Sequence, residues 1–477
     1  MISAAKTPIA IVARISGRVV TGALRSVCIG ALLVAGQDYP ISATGATAGD
    51  AQREWCYISV IRMKSVICSI LLFLALSSGS VSAESDLPRI KPWARQYAAA
   101  RAPEVMARAA LLLDAETGAV LFEKGADIVI PPASLSKVVA MHVVFAMAER
   151  GEVDLDEPVT VAPESWAVNM PPGSSLMFLG PQQEVTLRQL LLGLAVPSGN
   201  DAAVAVAQHT AGSVEAFAEL MTREARALGL PTLEFQEPSG LSSDNRVTAR
   251  EFAQFLRYYV QLWPHATRDY HSQERFTWPP NAAQPITQYN RNSMLQSYPG
   301  VDGVKTGFIR QSRYNLALSA QRDGRRLIAV LLGVPGENHI EGERNRARDA
   351  TLLLDYGFEH FHNVELQLPL PEAVRVWNGT RRTVELSFNS TQPAPRLVTV
   401  AQRDRDRLEG ELVQQHEVEA PVALGQNLGL IRISAAENEL LEIPLGATEE
   451  VPRGNFLRVI WDSVVRFILQ LLVSLRR

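Results

Sequence analysis

Apolar and polar positions change period several times along the chain, and each change marks an element. Two apolar runs, 110–114 and 119–122, flank Glu116-Thr117-Gly118 and predict a strand-turn-strand. After Pro131-Pro132 the spacing turns helical, with Leu135, Val138, Val139, Val143 and Met147 on one face until Gly151 stops it. Thr186 opens a second apolar helix over 187–196. Asp201 and Ser213 stand where N-caps of two further helices belong, with Gly212 and Gly229 as their stops. Thr248-Ala249-Arg250-Glu251 has the form of a capping box ahead of a helix over 252–262. The period then shortens. Runs 301–309, 315–320 and 327–334 predict strands, the last two joined through Arg322-Asp323-Gly324, and 352–358 predicts a returning helix. Strands, then helices, then strands and a helix predict an α/β fold with an antiparallel sheet flanked by helices.

Beyond about residue 364 the helical signal disappears. Short strand-like runs at 364–370, 374–377, 383–388, 397–401 and 429–434, with an Asn378-Gly379 turn, predict a separate all-β domain over 364–450. Between 456 and 477 the polar residues (Arg458, Asp462, Ser463, Arg466, Gln470, Ser474, Arg476, Arg477) fall within an arc of roughly 160° at helical spacing, leaving a wide apolar face. The charges of Asp462 and Arg466 argue against a spanning helix, and a net +3 favours lying on an anionic lipid surface, so 451–477 is expected to be an amphipathic membrane anchor. Docking of that helix on its own protein is the alternative reading.

The N-terminal region has a different character. Met63-Lys64-Ser65, an apolar run over 66–76 and the small residues Val81-Ser82-Ala83 make a secretory signal over 63–83, cut after Ala83. Residues 1–62 are expected to be a mis-assigned upstream extension, with translation starting at Met63. The remaining chain, from Glu84 onward, carries a net charge of −8 and no cysteine, because Cys28, Cys56 and Cys68 all precede the cut. That suits an exported protein in an oxidising compartment and leaves no basic field for nucleic acid. No H-E-x-x-H and no G-x-S-x-G occurs, and His360-Phe361-His362 has no partner ligand in view. Neither a metal nor a cofactor is expected.

The chemistry sits in three short motifs. S-x-x-K places a hydroxyl and an amine one helical turn apart on one face, so that the amine can take the hydroxyl's proton. It occurs twice: Ser3/Lys6 in the upstream extension, and Ser134-Leu135-Ser136-Lys137 at the start of a predicted helix. S-x-N occurs at Ser198-Gly199-Asn200, Ser243-Asp244-Asn245 and Ser387-Phe388-Asn389. Position selects Ser198, in a short loop between two helices, over Ser243, which reads as a surface turn before a helix cap. Lys305-Thr306-Gly307 occurs once, on a predicted strand, where Gly307 admits close approach of a ligand. The three motifs in this order form the constellation of penicillin-binding proteins and class A β-lactamases.

The chain resembles the low-molecular-mass penicillin-binding proteins, the serine-type D-alanyl-D-alanine carboxypeptidases of bacterial envelopes. The residues that carry the resemblance are Pro132-Ala133-Ser134-Leu135-Ser136-Lys137, Ser198-Gly199-Asn200-Asp201-Ala202 and Val301-Asp302-Gly303-Val304-Lys305-Thr306-Gly307, with Tyr314-Asn315-Leu316 and Gly454-Asn455-Phe456. The resemblance implies a β-lactamase/transpeptidase-like domain with a helical subdomain over 84–363, followed by the all-β domain and the anchor. It implies Ser134 as nucleophile, Lys137 as general base with its pKa depressed by burial beside Lys305, and Ser198 as proton relay. Asn200 would hold the substrate amide; Lys305, Thr306 and Arg346 would grip the terminal carboxylate. Backbone N–H groups of Ser134 and Phe308 would form the oxyanion hole beside Gly307. Phe308 departs from the His or Thr often found there. Peptidoglycan stem peptides are the implied substrates, β-lactams the implied inhibitors, and the periplasmic face of the inner membrane the implied address. A class A-like β-lactamase, a D,D-endopeptidase and a non-catalytic cell-wall-binding protein stand as alternatives.

Overall fold

A computed structural model describes residues 102–475, except 282, 389–394 and 436–437. The expected upstream extension and export signal, the three cysteines and the Ser3/Lys6 pair lie outside the described residues, as does Asn389 of the third S-x-N.

The first half of the described chain is built on one antiparallel sheet. Its strands are β1 (Ala109–Asp114), β2 (Val120–Lys124), β3 (Val301–Ile309), β4 (Arg313–Arg322) and β5 (Arg325–Val334), in the order β2-β1-β5-β4-β3. Asp323 and Gly324 both have positive φ, the geometry of a tight hairpin turn between β4 and β5. Alternation along these strands feeds two cores, since successive side chains point to opposite faces. Leu111, Leu113, Val304, Ala317, Ile328 and Val330 join the helical half, with α1 (Ser136–Glu149). Leu112, Leu316, Leu318, Leu327, Ala329 and Leu331 lie on the other face.

α1 is buried from Ser136 to Met147, so its inward-facing stripe widens to the whole circumference. Around it pack α2 (Leu187–Ala195), α3 (Asn200–Ala211), α4 (Val214–Ala227) and α5 (Ala249–Leu262). Thr186 and Gln189 close a full capping box on α2, and Ser213 caps α4. Two expected caps behave differently. The N-cap of α3 is Gly199, and Asp201 instead turns its carboxylate back to accept the N–H groups of Met177, Phe178 and Leu179 at 2.8, 2.8 and 3.0 Å. Thr248 caps Glu251 N, but the Glu251 carboxylate goes to Thr232 rather than back to the cap, completing only half of the box.

The helix expected at 352–358 is α6 (His339–His360), three turns longer at its start. Its first half is exposed or half-buried apart from Gly342, Arg346 and Asp349, and mostly polar, so it carries no apolar stripe to read. Leu353 and Leu354 cover the second face of the sheet.

The all-β domain has more strands than its apolar runs disclose. β6 (Phe361–Glu365) pairs with β10 (Leu397–Ala401). β7 (Val374–Trp377) lies between β8 (Thr383–Val384) and β12 (Glu417–Glu419). β9 (Leu386–Phe388), β14 (Asn438–Ala447), β13 (Asn427–Ala435) and β11 (Leu408–Gln414) form a third sheet. The expected strand at 364–370 ends at Glu365, before Pro369. β11, β12 and β14 were not anticipated: in β11 and β12 no residue is fully buried, so polar positions hide the alternation.

The two halves share a buried knot. Asp114, fully buried, accepts from Glu116 N, Thr117 N, Thr117 Oγ1, Asn363 Nδ2 and Arg325 Nε. Thr117 Oγ1 in turn lies 2.5 Å from Thr399 Oγ1 on β10, which donates to Asn363 Oδ1.

The C-terminal helix α7 (Phe456–Leu475) meets this domain through Asp462 and Arg466. Asp462 accepts the N–H of Asn378 at 2.8 Å and pairs with Arg458. Arg466 lies over the Trp377 ring and near Glu417 and Glu419. Phe456, Leu457, Ile460, Trp461, Val464, Phe467, Ile468 and Leu472 are exposed on the remaining face. Among the described residues no helix is long and apolar enough to cross a membrane.

Candidate active site

The sheet's edge strand, the start of α1 and two loops converge on Ser134. Proline residues 131 and 132 deliver the chain into a short 3-10 turn, Ala133–Leu135, and α1 starts at Ser136. Ala133 has φ +52, a conformation that L residues rarely adopt. Asn315 on β4 holds the approach from behind: its Nδ2 donates to Pro131 O at 3.0 Å and its Oδ1 accepts from Gly333 N. On β3, Gly307 makes room for this turn. A Cβ there would lie 2.8 Å from Pro132 O and 3.2 Å from Ser134 N.

The S-x-x-K spacing does what helical geometry requires. Lys137 Nζ donates to Ser134 Oγ at 3.2 Å, to Asn200 Oδ1 at 2.8 Å and to the Ser239 carbonyl at 2.5 Å. The lysine is fully buried, and burial pulls its pKa down to about 7, while the charges of Glu237 and Asp201 hold it up. Burial thus depresses Lys137 as expected, while the expected repulsion from Lys305 is not among its causes and is felt instead at Lys305. Lys305, on β3, is 2% exposed, and burial together with Lys137, Arg346 and Arg291 drives its pKa well below that of a free lysine.

Ser198 is buried with φ +65, two residues before the asparagine that meets Lys137. Asn200 is also buried, and no described residue accepts from its Nδ2. Thr306 follows Lys305 on β3 and is buried; Phe308 is partly exposed, stacked on Tyr314 with centroids 4.5 Å apart and edge-on to His339. Arg346 projects from α6, its Nη2 donating to Arg291 O at 3.2 Å, and its charge acts on Lys305. All three motifs thus meet at one place, with Arg346 joining from the far helix.

A fourth wall was missed: the loop 236–245. Its Ser239 carbonyl accepts a hydrogen bond from Lys137, and Gly240, at φ +87, lies so close to the nucleophile's turn that a Cβ would overlap the Ala133 carbonyl. The rejected S-x-N belongs to it. Asn245 is buried and donates to Ser136 Oγ, Glu237 O and Glu237 Oε1 while accepting from Gln236 N. The signal available was Pro238-Ser239-Gly240, a turn sequence held between two acceptor-rich residues.

Among the described residues no group of three or more His, Cys, Asp or Glu side chains is arranged to hold a metal ion. The arrangement present is an activated hydroxyl, a buried amine able to be neutral near pH 7, and two further cations for an anionic end group.

Comparison with known proteins gives the same answer over most of the chain. Residues 96–336 match the family model described as D-alanyl-D-alanine carboxypeptidase, and residues 366–453 match that of the penicillin-binding protein 5 C-terminal domain. The D-alanyl-D-alanine carboxypeptidase DacC of Escherichia coli is 34% identical over 373 residues, covering 76% of this chain and 89% of that protein. The DacA enzyme of Haemophilus influenzae is 30% identical over 85% of this chain and 98% of its own. Among solved structures, penicillin-binding protein 5 from Haemophilus influenzae superimposes with a TM-score of 0.66 at 28% identity, over 74% of this chain and 100% of that one.

Proposed function

Since the chain belongs to the D-alanyl-D-alanine carboxypeptidase family and is a serine-type enzyme of that class, we propose that Ser134 is its nucleophile and Lys137 the base that activates it. The observation that carries this assignment is the contact between Lys137 Nζ and Ser134 Oγ at 3.2 Å, with the amine's pKa lowered to about 7. A neutral Lys137 accepts the Ser134 hydroxyl proton as Oγ attacks the carbonyl of the penultimate D-alanine. The developing oxyanion takes hydrogen bonds from the backbone N–H groups of Ser134 and Phe308. The C–N bond then breaks, Ser198 relays the proton to the departing D-alanine amine, and water hydrolyses the acyl-enzyme.

Lys305, Thr306 and Arg346 recognise the terminal carboxylate. Packing three cations (Lys305, Arg346 and the exposed Arg291) around one strand makes sense if an anion completes the set, because Arg346 and Arg291 both disfavour the charged form of Lys305. Asn200 offers its free Nδ2 to the substrate's amide carbonyl. The substrates on this reading are pentapeptide stems of peptidoglycan, and a β-lactam acylates Ser134 by the same attack.

The exposed apolar row of α7, together with the export signal expected at 63–83, supports placement at the periplasmic face of the inner membrane. Asp462 and Arg466 are engaged with the β domain, and the apolar row between Phe456 and Leu472 is turned outward for the interface of an anionic bilayer. The test is co-sedimentation with anionic and with neutral vesicles: capture by anionic vesicles, lost on deleting 456–477, is expected, and equal recovery of both forms in the supernatant refutes the anchor. For the chemistry, release of D-alanine from diacetyl-Lys-D-Ala-D-Ala is the assay. Ser134→Ala should abolish it, and retained activity removes Ser134 from the mechanism.

A further inference from the structure

We propose that Glu237 is a positioning residue of the acylation step: its carboxylate winds the loop that presents the Ser239 carbonyl to Lys137, and its negative charge sets how readily that amine keeps a proton. This rests on Lys137 being the base.

The geometry is unusual for a loop glutamate. One Glu237 carboxylate oxygen accepts from Ser239 N at 2.7 Å and Ser239 Oγ at 2.5 Å; the other accepts from Gly240 N, Ser242 N and Asn245 Nδ2 at 2.7, 3.1 and 3.2 Å. Five donors from four residues therefore converge on one side chain, which fixes the turn 237–242 around it. That turn has no freedom on its other side, where Gly240 abuts the Ala133 carbonyl of the nucleophile's own turn. The Ser239 carbonyl, held between these two constraints, receives the shortest hydrogen bond that Lys137 makes. A neutral amide in place of Glu237 has one acceptor oxygen rather than two, so it cannot repeat the pattern.

The charge has a separate effect. Lys137 is faced by three ionic groups from three elements: Lys305 on β3, Asp201 on α3 and Glu237 on the loop. Ser134 Oγ, Asn200 Oδ1 and Ser239 O are its hydrogen-bond partners. Asp201 is committed to the 177–179 backbone and helps to build the fold there. Glu237 is the larger of the two favourable influences and opposes the burial that would otherwise strip the proton from Lys137 at still lower pH.

Removing the charge while keeping the side chain's shape should thus move the acid limb of acylation to lower pH. The experiment follows the second-order rate of penicillin acylation from pH 5 to 9 in the full-length protein and in Glu237→Gln, Glu237→Asp and Glu237→Asn. Asn is included because its shorter amide closes an i to i+2 turn on its own, giving a second neutral variant if Gln does not melt cooperatively. Expected are an acid limb displaced downward by on the order of one pH unit in the neutral variants, a lower plateau from the loosened carbonyl, and a limb near the wild-type position in Glu237→Asp. A neutral variant whose limb stays in place overturns the proposal, as does an Asp variant displaced as far as Gln. Lys137→Ala separates this from the premise: if that variant still acylates, Lys137 is not the base, whatever Glu237 does.

Discussion

Two segments of this molecule carry the same tripeptide pattern and do opposite things. Asn200 and Asn245 are both buried, both follow a serine by two residues, and both lie within one hydrogen bond of the S-x-x-K turn. Asn245 is satisfied four times over by its own loop and Ser136, so it has nothing left to offer a ligand. Asn200 spends its oxygen on Lys137 and keeps its amide unspent. The serines differ in the same sense: Ser198 is buried in a left-handed conformation, and Ser243 is exposed. A polar side chain that the protein itself saturates is scaffold. One that it holds in place but leaves incomplete is reserved for something that binds.

That contrast can be broken by experiment. Asn200→Ala should cost about 10²-fold or more in D-alanine release and penicillin acylation, because Lys137 loses a partner and the substrate a donor. Its thermal unfolding should stay close to wild type. Asn245→Ala should reverse the pattern, lowering stability by about 2–4 kcal/mol in denaturant titration through its stranded loop partners. The folded fraction should still acylate within about tenfold of wild type, since no reacting group is lost. Equal stability losses in the two variants, or an Asn245 variant that is stable and dead, would collapse the distinction. Ser243→Ala is the smallest change, expected within about 0.5 kcal/mol and without kinetic effect, as for other exposed sites.

How far the sequence disclosed this follows from which residues carry their information locally. The order of strands and helices was legible because apolar spacing reports burial, and β1 to β5 and α1, α2, α4 and α5 are buried elements. α6 was legible only where Leu353 and Leu354 meet the sheet; its first half serves to deliver Arg346, which needs no apolar stripe. In the β domain, β11 and β12 pair through backbone groups while only Leu408, Leu412 and Val418 among their side chains pack, half-buried, on the core, and backbone pairing leaves no trace in composition. The site was legible to the extent that helical spacing fixes it: Ser134 and Lys137 had to meet. What could not be read was the long-range part. Asp201 looks like a helix cap because aspartates usually are, yet its carboxylate reaches back more than twenty residues to Met177. Likewise the amine's surroundings include a carbonyl 102 residues away, which no local pattern announces.

Asp114 has a consequence for how this protein comes apart. One buried carboxylate neutralises Arg325, closes the first hairpin and, through Thr117, Asn363 and Thr399, fastens the β domain. Pulling the domain away leaves Arg325 in place but removes Asn363 from that anion and Thr399 from Thr117, a cost of roughly 1–3 kcal/mol for each buried polar group left without its partner. The β domain and the half that holds Ser134 are accordingly joined by buried polar bonds, and heat or chaotrope that frees one strands polar groups of the other.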